Sequence, residues 1–405
     1  MLWLSHFLPW PPKGGLLQRS FYLLREISRY HEVHLIALRQ RAHQQGSAEV
    51  EEALQNLGQY CHIHGTFDLP EDVIPQGRLL LAMRSLLPGP CYTIRWAKSR
   101  ALRSAIRTAV ADIKPDIVHF DTIALAQYVD VAGASLRVLN HHNIESEMMG
   151  RRAAQERNVL KRCYFRQEAS RLRSYERIRS SEFAYQLVCS DLDARRLREI
   201  VPDAACHVIA NGVDADHFRP APQNIGSLPE SLIFVGGLGW YPNAAAMRFF
   251  LRDVWPKLLE RFPAATLRIV GRSPPPDLRE AAERTSGVEV MGFVDEMRPL
   301  VHESAVYVCP IRDGGGTKLK MLDAMALGQA IVAHPIACEG LDVTPGREVL
   351  VADTPQQFVE SIGLLFQDPS LRDALGRRAR EHVVRNFDVR TIGKRYALLL
   401  SGTAA

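Results

Sequence analysis

The sequence predicts an α/β protein of two doubly wound, Rossmann-like domains, each built on a parallel sheet and facing the other across a cleft. Three observations predict it. Short apolar runs alternate with helix-length segments through most of the chain, the pattern left by βαβ units. The alternation breaks once, at a stretch rich in Pro, Asn and Gly, and then restarts. Glycine turns follow strand-like runs in both halves, where doubly wound sheets bind ligands.

The elements follow in order. LWLSHFL reads as the first strand, with a helical stretch from Leu16 to Arg29 behind it. VHLIAL, DIVHF, LRVLNHHN, YQLVCS and CHVIA follow as strands, most of them separated by helical text. The segment DHFRPAPQNIGSLPE then reads as a linker. SLIFVGG, ATLRIVG, VEVMGFV, AVYVCP, AIVAHP and EVLVAD form the second set. Five or six strands are expected in each sheet. The domains are placed at 1–214 and 215–387, and a closing helix at about 388–405 is expected to pack back on the first domain. The cleft between the sheets is the expected ligand site, since such sheets bind at the carboxyl ends of their strands.

Composition narrows the function classes. Of 405 residues, 46% are hydrophobic and 23% charged, which suits a soluble protein with real cores. A formal net charge of +5 is too small to point to nucleic acid. Seven widely spaced cysteines without a C-x-x-C pair speak against a disulfide framework or a zinc site, and for a reducing compartment. MLWLSHFLP has no basic region before its apolar run and reads as a strand rather than a signal peptide. A cytoplasmic protein is expected.

The most informative stretch is AVYVCPIRDGGGTKLKMLDAMALGQAIVAHP: strand, glycine turn, helix, strand. The helix is expected from near Thr317 to Gly328, with Leu319, Leu322, Met325 and Ala326 on its buried face. Gly314, Gly315 and Gly316 leave bare amides beside the positive end of that helix, an anion site. Lys318 in the first turn opposes the macrodipole, so a negative group, such as a diphosphate, is expected to offset it. That lysine is expected to be exposed. The spacing is not that of a Walker loop. A second turn, Gly236-Gly237-Leu238-Gly239 with Trp240 to Asn243, lacks the G-x-G-x-x-G spacing of a dinucleotide fold. A third, Pro11-Pro12-Lys13-Gly14-Gly15, opens a helix after the first strand.

Taken together these residues resemble the retaining glycosyltransferases of family 4, with the two-domain GT-B architecture. The resemblance is carried by PPKGG, ANGVD, FVGGLGWYPN, GFVDEMRPLVHESAVYVCPIRDGGGTKLKMLDAMALGQAIVA and DPSLRDALGRRAREHVVRNFDV. It implies transfer of a sugar from a nucleoside-diphosphate sugar to a glycan or lipid-linked acceptor, with no metal and no other cofactor. Two alternatives share the architecture: a sugar-nucleotide epimerase and a catalytically silent nucleotide-sugar-binding subunit.

The family carries two glutamates separated by seven residues at the glycine-turn helix. Asp323 stands at the second position, which implies a ribose contact, and Gly315 stands at the first, where Asp313 or the Gly315 and Gly316 amides could meet the donor sugar. No Lys or Arg occupies Gly236–Asn243, where relatives often place a basic residue, so Lys318 is expected to carry more of the diphosphate charge. Gly237, Asn243, Thr317 and Gly314 are implied as donor contacts, and Val294 beside Phe293 as the base contact. In the first domain Gly14, Gly15, His119 and Glu145 are implied as substrate-binding residues. His142 and Asp121 join Lys318 as implied catalytic residues. Asp121 replaces the second histidine of a His-x-His, and His142-Asn143-Ile144-Glu145 matches a His-Asn-x-Glu variant.

Charge is concentrated in the first domain. Ten basic residues lie between Arg151 and Ser181 against Glu156, Glu168 and Glu176, a local charge of +7. Arg95, Lys98, Arg100, Arg103 and Arg107 form a second basic stretch beside Trp96 and Leu102. Two partners fit this charge: an anionic membrane surface, with peripheral attachment at the inner face, or a polyanionic acceptor such as an acidic glycan.

Overall fold

The computed structural model describes residues 1–41, 46–73, 76–133, 135–221, 227–314 and 316–402. The chain forms two compact units: Met1–Ala210 with Gly393–Ala405, and Asn211–Ile392. The sequence reading put the division at 214/215 and assigned the whole closing helix to the first domain. In the structure the chain leaves the second unit partway along the helix Val389–Leu400.

Among the described residues, the first unit holds a 7-stranded sheet in the order β3-β2-β1-β4-β5-β6-β7, and the second a 6-stranded sheet in the order β10-β9-β8-β11-β12-β13. The first comprises β1 (Leu2–Ser5), β2 (His34–Arg39), β3 (His62–Asp68), β4 (Ile117–Phe120), β5 (Leu136–Asn140), β6 (Tyr185–Val188) and β7 (Cys206–Val208). The second comprises β8 (Leu228–Val235), β9 (Thr266–Val270), β10 (Val288–Gly292), β11 (Ser304–Cys309), β12 (Ile331–Ala333) and β13 (Leu350–Val351). Every pairing between these strands is parallel.

Both sheets reverse direction of winding at one point, between β1 and β4 and between β8 and β11. The loops leaving those strands therefore diverge and open a crevice at the carboxyl ends. Strands at the centre are buried on both faces, as parallel sheets require: β1, β4 and β11 are buried throughout. β3 is absent from the sequence reading because HIHGTFD is neither an apolar run nor a clean alternation. It is an edge strand, with His62 and His64 exposed.

Candidate active site

In the second unit, β8 ends at Val235 and β11 at Cys309, and each runs straight into a glycine turn. The two turns meet. A methyl group added at Gly314 would touch the Pro242 ring at 3.6 Å. Gly314 has φ of 105° and Gly316 of 65°, values at home only in glycine, so the turn could not be built from ordinary residues. Gly315 lies outside the described residues.

The helix behind the turn spans Leu319–Ala326. Leu, Lys, Met and Ala give it high helix propensity. Gly328, at φ 71°, ends it: the Gln329 amide donates to Ala324 O and the Gly328 amide to Met325 O, a Schellman closure. The start differs from the sequence reading. Lys318 is the N-cap residue, outside the first turn, with extended backbone. It is half-buried rather than exposed, and its ammonium folds back on the turn, donating to Gly314 O at 3.0 Å and Gly316 O at 2.8 Å. Lys318 is therefore not a first-turn cation opposing the macrodipole. It is instead a cation that fastens the turn by the carbonyls of Gly314 and Gly316.

Two side-chain atoms in this turn are buried and have no hydrogen-bond partner among the described residues: Thr317 Oγ1 and Asp313 Oδ2. Asp313 Oδ1 accepts from the Gly314 amide at 2.6 Å. Buried orphan groups are uncommon and point to a missing partner. One hydroxyl and one carboxylate oxygen in a glycine turn suit a ligand that has both phosphate oxygens and hydroxyl groups. Asp323 is buried on the same helix. Val294 and the exposed Phe293 follow β10, where the Arg272 guanidinium lies 3.9 Å from the Phe293 ring centre.

Asn243 is not the open ligand contact implied by its position. It is buried, its amide donates to Gly237 O at 2.7 Å, and its Oδ1 accepts from Lys320 Nζ at 2.6 Å. It ties the Gly236–Gly239 turn to the helix Leu319–Ala326. Gly237 itself faces open space: a methyl group there would meet nothing within 4 Å.

In the first unit, the register Leu4↔Phe120 brings the ends of β1 and β4 side by side, and the Asp121 amide donates to Leu4 O at 2.9 Å. Asp121 is completely buried and collects donors from four elements. Its Oδ2 accepts from Ser20 at 2.5 Å and Ser5 at 3.3 Å, and its Oδ1 from Asn140 at 2.7 Å and His142 Nε2 at 3.0 Å. His6 and His119 stand 3.6 Å from its oxygens. Burial alone would push the carboxyl up. The charge and hydrogen bond of His142, with the nearby rings of His119 and His6, overturn that and hold it well below its ordinary value. A carboxylate so enclosed cannot touch a substrate, which corrects its sequence-level assignment as catalytic. Asp121 is a positioning residue for His142. With Nε2–H directed at Asp121, the other ring nitrogen of His142 keeps its lone pair. Burial lowers the pKa of His142 and so favours the neutral ring, partly offset by the charge of Asp121.

His119 is likewise no ligand contact. It is completely buried, stacked on Trp3 at 3.6 Å, with Nδ1 2.7 Å from the Tyr396 hydroxyl. Glu145 opens the helix Glu145–Gln155, and burial, aided by the charge of Glu176, pushes its carboxyl up to about 8. Gly14 (φ 97°) and Gly15 start the helix Gly15–Ile27, which has no acidic residue in its first turn and no side-chain cap. Two residues of that helix join the Asp121 cluster without standing in any motif of the sequence: Ser20, and the buried Arg19, which donates to Asn140 Oδ1 at 2.8 Å and Ile209 O at 2.9 Å. The signal available was a charged residue inside an apolar helical face. His6 joins the cluster too, from the end of the first strand.

Among the described residues, His6, Asp121 and His142 have potential ligand atoms within 4.8 Å of one another. The four hydrogen bonds to Asp121 already use its oxygens, so the group works as a hydrogen-bond cluster. Two Asp-x-Asp pairs, a common metal-binding signature, occur in the sequence. Both serve local structure. Asp193 of Asp191-Leu192-Asp193 accepts from Ser190 at a helix start, and Asp214 of Asp214-Ala215-Asp216 accepts from the amides of Asp216 and His217.

The chain is similar to known proteins in sequence and in fold. Residues 229–368 match the family model described as Glycosyl transferases group 1. Phosphatidyl-myo-inositol mannosyltransferase of Mycolicibacterium smegmatis is 32% identical over 206 residues, 49% of this chain and 53% of the relative. A GDP-mannose-dependent alpha-(1-6)-phosphatidylinositol monomannoside mannosyltransferase of the same organism is 29% identical over 223 residues, 50% of this chain and 57% of the relative. The chain thus spans about half the length of these curated relatives. Among solved structures, Anabaena Alr3699/HepE in complex with UDP superposes with a TM-score of 0.68 at 15% identity, covering 99% of each chain. Sucrose-phosphate synthase from Thermosynechococcus elongatus gives 0.72 at 15% identity, covering 99% of this chain and 98% of the other. Residues 229–368 of the second unit are thus similar to a group 1 glycosyltransferase domain, and the fold is the GT-B fold.

Proposed function

We propose that the protein transfers a sugar from a nucleoside-diphosphate sugar to a glycan or lipid-linked acceptor, with retention at the anomeric carbon and without a metal. The observation that carries this reading is the turn Gly314–Lys318, fastened by Lys318 through the carbonyls of Gly314 and Gly316, with Thr317 Oγ1 and Asp313 Oδ2 unpartnered among the described residues. Turn amides, Thr317 and the helix N-terminus would take the diphosphate, and Asp313 Oδ2 would accept from sugar hydroxyls. Asp323 would hold the ribose, and the segment at Val294 the base. The acceptor oxygen bonds to the anomeric carbon as the bond to the diphosphate breaks. The acceptor's proton passes to the leaving phosphate oxygen, on the same face of the sugar. Preorganised amides and cations aimed at the developing phosphate charge supply the main acceleration.

In the first unit, His142 would position the sugar or the acceptor, held by Asp121. His142→Ala should lower kcat by about tenfold or more while changing donor affinity little, whereas His119→Ala should cost about 2 kcal/mol of stability by stranding the Tyr396 hydroxyl. Steady-state kinetics and denaturant titration on both variants check this, and the opposite ranking contradicts it.

GDP-mannose is the first donor to test, because the relatives are named for mannosyl transfer. Incubation with a panel of nucleoside-diphosphate sugars and free or lipid-linked acceptors, followed by product mass, tests the activity. Glycosylated acceptor is expected. Conversion of the donor's sugar without acceptor would mean an epimerase, and binding without turnover a silent subunit.

A membrane partner has support in the first unit. Among the described residues no helix is long and apolar enough to cross a bilayer. Helix Val159–Ser180 carries Arg162, Arg166, Arg173 and Arg177 within an arc of about 60° at 100° per residue. Neighbouring helix Gly77–Leu86, joined to it by a contact of 2.9 Å between Ser85 Oγ and Tyr164 OH, exposes Leu79, Met83 and Leu86, with Leu87 beyond its end. The stripe lies about 140–180° round its helix from Tyr164, on the face turned away from Gly77–Leu86, and suits an anionic bilayer with about 1 kcal/mol per basic residue near the surface. Sedimentation with vesicles should show binding that requires anionic lipid and fades with salt. Equal binding to neutral vesicles, or none to either, contradicts it.

A further inference from the structure

We propose that the Lys320 ammonium supplies the second positive charge that neutralises the donor's diphosphate, a role that presupposes the donor site described above. The sequence places no Lys or Arg in the Gly236–Asn243 turn, and the structure fills that vacancy from the neighbouring strand's helix. Lys320 is the second residue of Leu319–Ala326, behind β11, yet its side chain reaches the end of β8. Its Nζ donates to Asn243 Oδ1 at 2.6 Å and lies 4.8 Å from the Phe234 ring centre. Gly236 is shaped around it: a methyl group there would lie 2.4 Å from Nζ. The cation is therefore presented at the loops flanking the point where the sheet's winding reverses, the place where such sheets take their ligands.

The ammonium is poorly compensated. It has three protons to donate, and among the described residues Asn243 is the one side chain recorded as accepting from it. An ammonium withdrawn from water needs an anion or several acceptors. Burial pushes its pKa down to about 8, with Lys318 adding to the fall and Cys309 of β11 and Asp323 of the same helix opposing it. A diphosphate would supply both the charge and the acceptors. Beside Lys320, Gly237 leaves open space through which a phosphate can approach the backbone. Lys318 is placed differently, with its ammonium on the carbonyls of Gly314 and Gly316. The two lysines thus divide the work: one fastens the turn, the other meets the anion.

A bound diphosphate restores the proton that burial loosens, so binding near pH 8 should take up protons. The test is isothermal titration calorimetry of the full chain with GDP, UDP, ADP and TDP at pH 8, in two buffers of different ionisation enthalpy. Wild type, Lys320→Met and Lys320→Arg are compared, with circular dichroism to check the fold. The wild type should bind at least one of the nucleotides with proton uptake. Lys320→Met should bind it at least about tenfold more weakly and without that uptake. Lys320→Arg, whose charge does not titrate here, should keep more of the affinity and show no uptake, which preserves the test if the methionine variant fails to fold. Affinity within about twofold of wild type in Lys320→Met, or undiminished proton uptake in either variant, would overturn the role of Lys320 and leave the donor site standing. A wild type that binds none of the four nucleotides would overturn both.

Discussion

Asp121→Ala is expected to cost about 3–5 kcal/mol of folding free energy and to leave no measurable sugar transfer, because it strands several buried donors at once. Ser20, Asn140 and His142 all donate to this carboxylate, and Arg19 is held in turn by Asn140. Asp121→Asn should lose less stability, since the Ser20 hydroxyl can turn to accept from the new amide. It should still lose activity, because His142 is no longer oriented by a charge. The pH dependence carries a sign. The Asp121 carboxyl is held well below its ordinary 3.8, so its contribution is present above that value and is lost as pH falls below it, through the folded-state pKa. The acid limb of the stability curve below pH 3.8 should therefore be shallower in Asp121→Asn than in the wild type. Denaturant titrations at several pH values measure this. An Asp121→Ala variant within about 1 kcal/mol of wild type would refute the description of this cluster.

Lys318→Ala is expected to reduce transfer by about a hundredfold, on the order of 3 kcal/mol in the transition state. The loss arises because the Gly314–Gly316 carbonyls are released and the amides lose their preset direction. The lysine is half-buried and bonded to the backbone, so about 1 kcal/mol of stability should go as well. An exposed lysine would have given almost no stability change, which is what the sequence suggested. The two readings differ measurably: kcat should fall with donor KM little changed if the turn's geometry is what matters. Unchanged turnover would remove the glycine turn from the mechanism.

Much of the architecture is legible in the residues because central parallel strands must be apolar runs, and those runs are easy to find. Edge strand β3 is not legible, since half of its surface faces water and His, Gly and Thr serve there as well as Val. The glycine turn is legible because positive φ at Gly314 and Gly316 demands glycine. The direction of each lysine is not. Lys318 and Lys320 are two positions apart, and only the three-dimensional path of the chain shows that one turns back on its own loop while the other crosses to Gly236 and Asn243. The polar residues at the ends of β4 and β5 announce a site, but not their division of labour. Whether Asp121 meets a substrate or holds His142 depends on burial, and burial here is set by Ser5, Ser20 and Arg19, which come from elements far away in the sequence.

The central claim is that the second unit takes the diphosphate of a nucleoside-diphosphate sugar at its two glycine turns. Hydrogen–deuterium exchange of the full chain, with and without a saturating donor such as GDP-mannose, tests it most directly. Slowed exchange is predicted in Gly236–Asn243 and in the peptide from Gly314 through Ala326. Donor binding that protects neither segment would contradict the claim.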